Sequence, residues 1–175
     1  MINYDIERIV NGIIEKTKIS KVPVDIETIC LNYDISLEPL DADDTLSGFF
    51  LVNDNRKKII GYNKTHSENR VRFTIAHELG HFQLHCKKDQ NFFIDKSSKF
   101  FRNELSSSGI LKQEREANAF AAALLMPINI LEKELDKIDN KGDSNEIISK
   151  LSKKFKVSED SMKFRLINLG IIDPN

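Results

Sequence analysis

Within RFTIAHELGHFQLHC, residues 72–86, His77, His81 and His85 recur every four positions, and Glu78 directly follows the first of them. Residues four apart on a helix stack on one face, so the imidazoles of His77 and His81 can converge on a single ion, with zinc–nitrogen distances of about 2.0–2.1 Å. Glu78 is turned about 100° from His77 by the helical repeat. That makes it a poor third ligand but lets it reach a water on the ion from the side. The chemistry implied is hydrolysis: zinc brings the pKa of the water toward about 7, Glu78 takes the proton, and the water oxygen attacks a carbonyl that the metal polarises. His85 lies about 12 Å along the axis from His77, at about 1.5 Å per residue, so the three histidines cannot share one ion. Two readings of His85 stand: a packing residue at the pocket rim, or a group that orients substrate or stabilises the oxyanion. His66, in the first turn, is too far away to coordinate and is expected at the surface. HExxH has three fixed positions and occurs by chance, so the pattern alone does not establish catalysis. Gly80 adds weight, because glycine costs about 1 kcal/mol relative to alanine inside a helix; something, such as a strand or bound substrate, is expected to come close to the backbone there.

A catalytic zinc takes three protein ligands and keeps one position open. Cys86 is nine residues past His77 on the same helix and is a poor candidate. The best acidic source is EREANAFAAALLMP, where Glu114, Ala117, Ala121 and Leu124 share one helical face. The small alanines would let this helix lie close against the histidine helix. Asn118, one turn beyond Glu114, could then hydrogen-bond the free nitrogen of a ligand histidine and fix its tautomer. Glu116 is the alternative third ligand. It projects about 200° from Glu114, so one of the two can face the ion. Glu114 is favoured because its face is the small, apolar one, while Glu116 also suits a solvated pairing with Arg115.

The elements that must position these groups follow from periodicity. Ile6, Ile9, Val10, Ile13 and Ile14 predict a first helix, and VPVDIETICLNY a second that starts around Pro23. DISLEPL, TLSGFFLV and KKIIGYN read as strands, the last two joined through the turn-forming NDNRK as an antiparallel pair. Thr65 and Glu68 form a capping-box pattern that predicts the start of the histidine helix. Residues 87–109 read as a long connection with one strand, and Leu111 to Met126 as a strong helix stopped by Pro127. After ILEKELDKI and a polar hinge, DNKGDSN, two further helices meet at Lys156–Ser158, with Ser158 as N-cap and Gly170 as terminator. The fold class is therefore α+β: a small antiparallel or mixed sheet, an HExxH helix packed on a second helix, and a C-terminal helix pair. Residues 1–143 are expected to form the main domain and 144–175 the helix pair packed on it.

At 175 residues, 40% hydrophobic and 30% charged, the chain can bury a core, and a net charge of -1 gives no global attraction to nucleic acid or membrane. No run is apolar enough to cross a bilayer and the N-terminus does not read as a signal peptide, so the expected location is cytoplasmic. Cys30 and Cys86 are too few for a disulfide framework and are expected to be reduced.

With RFTIAHELGHFQLH and EREANAFAAALLMP both in view, the sequence resembles the ImmA/IrrE family of zinc metallopeptidases. The likeness extends to VPVDIETIC, to IIGYN ahead of the zinc helix and to the tail KFKVSEDSMKFRLINLG. The resemblance implies a zincin-like, gluzincin-type fold in which His77, His81 and Glu114 bind one zinc ion and Glu78 is the catalytic base. It also implies an antirepressor that cleaves a helix-turn-helix transcriptional repressor, often one encoded on the same mobile element or prophage. Tyr62 and Asn63, at the end of the strand before the zinc helix, are candidates to line the cleft.

Two alternatives compete with this reading. One is a non-catalytic zinc-containing regulatory protein that binds a repressor or DNA through its C-terminal helices. FKVSEDSMKFRL has a helix-turn-helix look, with Lys153, Lys154, Lys156, Lys163 and Arg165 supplying charge. Glu159 and Asp160 at the start of the would-be recognition helix argue against direct DNA binding. The other keeps the zinc for structure alone, with its fourth position blocked by a protein side chain.

Overall fold

A computed structural model describes residues 2–53, 55–86, 92–93, 107–138 and 143–173, with backbone alone at 92, 93, 107 and 108. In chain order the elements are α1 (Tyr4–Thr17), α2 (Ile26–Asn32), β1 (Ile35–Leu40), β2 (Gly48–Val52), β3 (Lys58–Asn63), α3 (Glu68–His85), β4 (Phe92–Phe93), α4 (Ser107–Leu125), α5 (Ile128–Leu135), α6 (Ser144–Phe155) and α7 (Glu159–Asn168). The architecture is the expected α+β one. Residues 139–142 of the hinge and most of the connection after α3 fall outside the described residues, while the end of the hinge, from Ser144, is already the first turn of α6 behind Asp143.

The sheet is mixed, in the order β1-β3-β2-β4. β1 and β3 are parallel, while β2 pairs antiparallel with β3 and, through Phe50 and Leu51, with β4. The β2–β3 turn is organised by Asn53, whose side-chain oxygen accepts from the Lys57 backbone N–H at 2.9 Å. Arg56 takes the left-handed conformation there, at φ 59.

Helix α3 lies between the sheet and α4, and this sandwiching decides its character. All eight residues from Thr74 to His81 are buried, so its middle is enclosed on every side. Ile75 and Leu79 join Phe50 and Ile60 of the sheet and Phe120, Ala121 and Leu124 of α4 in the core. The polar residues in that stretch, Thr74, His77, Glu78 and His81, are held inside by the same packing. Burial of a histidine pair and a carboxylate at this depth is costly unless partners compensate it.

Three sequence expectations at helix starts are corrected. Helix α2 begins at Ile26 behind Asp25, whose carboxylate accepts from the Thr28 backbone N–H at 2.9 Å, so Pro23 lies ahead of the helix. Helix α3 has Ser67 as its N-cap, with no side-chain cap bond. Thr65 turns backward instead, its hydroxyl donating to Asn63 Oδ1 at 2.8 Å, and the capping box is not formed. Helix α4 starts at Ser107, ahead of the expected Leu111.

The C-terminal pair follows the expectation closely. Lys156 closes α6 in the left-handed conformation, Ser158 Oγ accepts from the Ser161 N–H at 3.1 Å, and Gly170 has φ 70. The pair is tied to the rest of the molecule by Lys156 on Glu68 at 2.7 Å, by Asn69 Nδ2 donating to the Val157 carbonyl at 3.1 Å, and by Lys154 on Glu134. Arg165 is the deepest tie. Its guanidinium forks onto Glu7 of α1 at 2.5 and 3.0 Å and its Nε donates to the Met126 carbonyl at 3.1 Å, all buried. A residue counted among the basic groups of a DNA-reading helix therefore faces inward, and Glu159 and Asp160 begin that helix exposed. Among the described residues no helix is long and apolar enough to cross a membrane.

Candidate metal centre

Helices α3 and α4 can touch because each is small where they meet. A Cβ on Gly80 would stand 3.2 Å from Ala117 Cα and 3.3 Å from its carbonyl oxygen. The close neighbour anticipated at Gly80 is thus helix α4, not a strand or a substrate. With the two backbones this near, Glu114 reaches across one helical turn before Ala117.

The consequence is a convergence of three donor atoms. His77 Nε2 lies 3.3 Å from Glu114 Oε2, His81 Nε2 lies 3.2 Å from Glu114 Oε1, and the two Nε2 atoms are 3.0 Å apart. Ligands about 2.0–2.1 Å from a tetrahedral zinc are about 3.3 Å from one another, so the set matches one ion in size and in chemistry. Asn118 supplies a second test. His77 Nδ1 lies 3.0 Å from Asn118 Oδ1, an acceptor, so Nδ1 carries the proton and the Nε2 lone pair is aimed at the Glu114 carboxylate. Two acceptors facing each other call for a cation between them. Among the described residues His77, His81 and Glu114 form the group whose ligand atoms come close enough to hold a metal ion.

The side chains of His77 and His81 are 7% and 5% exposed while that of Glu114 is 38% exposed, so solvent reaches the centre from the α4 side. Asn118 is exposed on that same side.

Glu78 is fully buried. Its Cγ would stand 3.7 Å from a Cβ built on Gly48 at the start of β2, so the carboxylate arm is sandwiched between α3 and the sheet. Gly48 is a residue the sequence reading passed over. The same Cβ would collide with Thr74 Cγ2 and stand 2.7 Å from the Gly61 carbonyl. A glycine opening an otherwise apolar strand, in TLSGFFLV, was the available signal.

The other candidates are placed elsewhere. Glu116, the alternative third ligand, turns away from the cluster to His85 Nε2 at 3.6 Å and Lys112 at 3.7 Å. Its face of α4 meets the end of α3, two residues round from Glu114. The half-buried His85 packs its side chain against α4 and contacts the Gln113 carbonyl at 3.3 Å, so its ring lies in the seam between the helices. Asn63 is fully buried and does not line a cleft: its Nδ2 lies 3.0, 2.9 and 3.1 Å from the carbonyls of Ala42, Asp43 and Leu46, pinning the loop before β2. Tyr62 turns into a groove with Leu31, Ile35 and Leu37, between α2 and β1. His66, expected at the surface, has a side chain 3% exposed and faces Asp44 Oδ1 at 3.7 Å. Both cysteines are free, and burial, with the charge of Glu27, pushes the Cys30 thiol up to about 12.

A metallopeptidase-like α+β fold built around a His-His-Glu centre defines the class. The chain belongs to the peptidase family described as the IrrE N-terminal-like domain, whose model matches residues 30–167. The family is zinc-associated. The chain is similar to the "Uncharacterized immunity region protein 2" of Bacillus phage phi105, with 32% identity over 93 residues, 53% of this chain and 52% of that protein. It also superposes on a Mycobacterium tuberculosis transcriptional regulator with a TM-score of 0.65 at 17% identity, over 95% of this chain and 47% of the other, which is a likeness of fold. The chain spans about half the length of each.

Proposed function

We propose that the chain is a zinc-dependent endopeptidase acting as an antirepressor, with a helix-turn-helix transcriptional repressor as its substrate. The observation that carries this reading is the meeting of His77, His81 and Glu114 within 3.0–3.3 Å of one another, with the buried Glu78 next to the first ligand in the chain. Zinc held there would polarise the scissile carbonyl and make a water acidic enough to lose its proton near neutral pH.

The protein's own groups do the rest. Asn118 holds His77 in the tautomer that presents Nε2 inward. Glu78 accepts the proton of the attacking water and returns it to the departing amine, as a general base and then a general acid. Its Cγ lies against Gly48 at the start of β2, and this packing limits how far the carboxylate can stray. The half-exposed Glu114 and the exposed Asn118 leave a way in for an extended peptide.

The choice of a repressor as substrate is supported by the family resemblance and by the phage relative, which is named for an immunity region. Incubation of the zinc-loaded protein with the repressor-like product of the neighbouring gene, followed by mass analysis, is expected to give two discrete fragments. Chelation should abolish the cut, and Glu78→Gln should abolish it while keeping the metal. A repressor left intact by the zinc-loaded protein, or cut equally well by Glu78→Gln, overturns the reading. In the first case a non-catalytic regulator that holds the repressor takes its place.

A further inference from the structure

His85 ends α3 and is turned into the α3–α4 seam, with its side chain 8% exposed. Its Nε2 lies 3.3 Å from the Gln113 carbonyl oxygen and 3.6 Å from Glu116 Oε2. Both partners are acceptors, so Nε2 carries the proton and donates.

The peptide group that accepts from His85 is the one whose nitrogen belongs to Glu114. Among the described residues ahead of it, Ile110 and Leu111 of α4 are 41% and 56% exposed, and the fully buried ones begin at Ala117. Glu114 therefore sits at the boundary between an exposed first part and a packed second part. The contact of Gly80 with Ala117 fixes the helix on one side of it, and the His85 bond fixes it on the other.

We propose that His85 is a positioning residue, which through the Gln113 carbonyl sets the register of α4 against α3 so that the Glu114 carboxylate meets His77 and His81. This rests on the reading of those three side chains as metal ligands. It assigns His85 no contact with substrate.

The test compares His85→Gln with His85→Met. The two side chains are unbranched and equal in length, and only glutamine has an N–H to donate. Zinc affinity is measured by competition with a chromophoric chelator, the d–d spectrum is recorded with cobalt in place of zinc, and unfolding of the metal-free proteins is followed in urea. The expected result is a loss of about tenfold or more in zinc affinity with a changed cobalt spectrum for methionine, near wild-type behaviour for glutamine, and similar urea midpoints for both. Equal affinities in the two variants, whether both high or both low, overturn the proposal. So does unfolding of the methionine variant alone, since the bond would then hold the fold and not the carboxylate. A wild-type protein that takes up no zinc would overturn the metal-centre reading itself.

Discussion

Gly80→Ala tests whether helix approach sets the metal centre. The added Cβ would stand 3.1 Å from Phe120 Cδ1, 3.2 Å from Ala117 Cα and 3.3 Å from the Ala117 carbonyl oxygen. Carbon atoms prefer about 3.5–4.0 Å, so the seam must open by roughly 0.3 Å. The Phe120 ring can swing, but Ala117 contributes backbone, and α4 has to move as a body. Alanine gains about 1 kcal/mol over glycine in helix propensity. Overpacking a filled core costs about 1–3 kcal/mol. The net effect expected on folding is a loss of roughly 0–2 kcal/mol, small enough for the protein to remain folded. The effect on the centre should be larger in proportion, because the displaced Ala117 is less than one turn from Glu114 while His77 and His81 stay on the other helix. Urea unfolding and a zinc-competition titration on the same preparation separate the two effects. The expected outcome is an unfolding free energy lowered by no more than about 2 kcal/mol, with zinc affinity weakened at least several-fold. A variant more stable by about 1 kcal/mol that binds zinc as wild type would refute the reasoning, since propensity would then be free to act unopposed.

Two further predictions concern the scaffold. Arg165→Ala leaves the Glu7 carboxylate buried without its partner and should cost about 3–5 kcal/mol in urea unfolding, whereas replacing both residues with methionine should cost far less. A loss below 1 kcal/mol for the single variant would show that the clasp between α1 and α7 is not what holds the C-terminal helix pair. Asp25→Ala removes the α2 N-cap and should cost about 1 kcal/mol at neutral pH. Because hydrogen bonds from Thr28 hold Asp25 below its ordinary value of 3.8, its contribution is complete above that pH and is lost as pH falls through the lower folded value. Stability curves of wild type and variant should therefore converge in acid; a gap that stays constant from pH 7 to below 3 would contradict the assignment.

The parts of the site governed by local spacing could be read from the sequence. Two histidines one turn apart must share a face whatever surrounds them, and the alanines after Glu114 marked the face on which a second helix could come close. What was illegible depended on partners distant in the chain. Arg165 carries a charge that the sequence places on a helix surface, yet Glu7, 158 residues away, takes it inside. His66 and Asn63 were assigned by their neighbours in sequence, while the loop at Ala42–Leu46 decides their burial. The capping box failed for a related reason: the Asn63 amide oxygen accepts both the Thr65 N–H and its hydroxyl, at 3.0 and 2.8 Å, and so removes the cap from α3. The role of Gly48 needed the sheet and α3 together, since only their packing brings Thr74 and Glu78 against it.

The central claim is that one acidic side chain on α4, Glu114, completes a metal centre begun by two histidines on α3. Metal content and zinc affinity of wild type, Glu114→Gln and Glu116→Gln, measured on the folded proteins, test it most directly. The account predicts one zinc per chain in wild type, retained by Glu116→Gln and lost or greatly weakened in Glu114→Gln. Zinc retained by Glu114→Gln at wild-type affinity, or lost in Glu116→Gln instead, would contradict it.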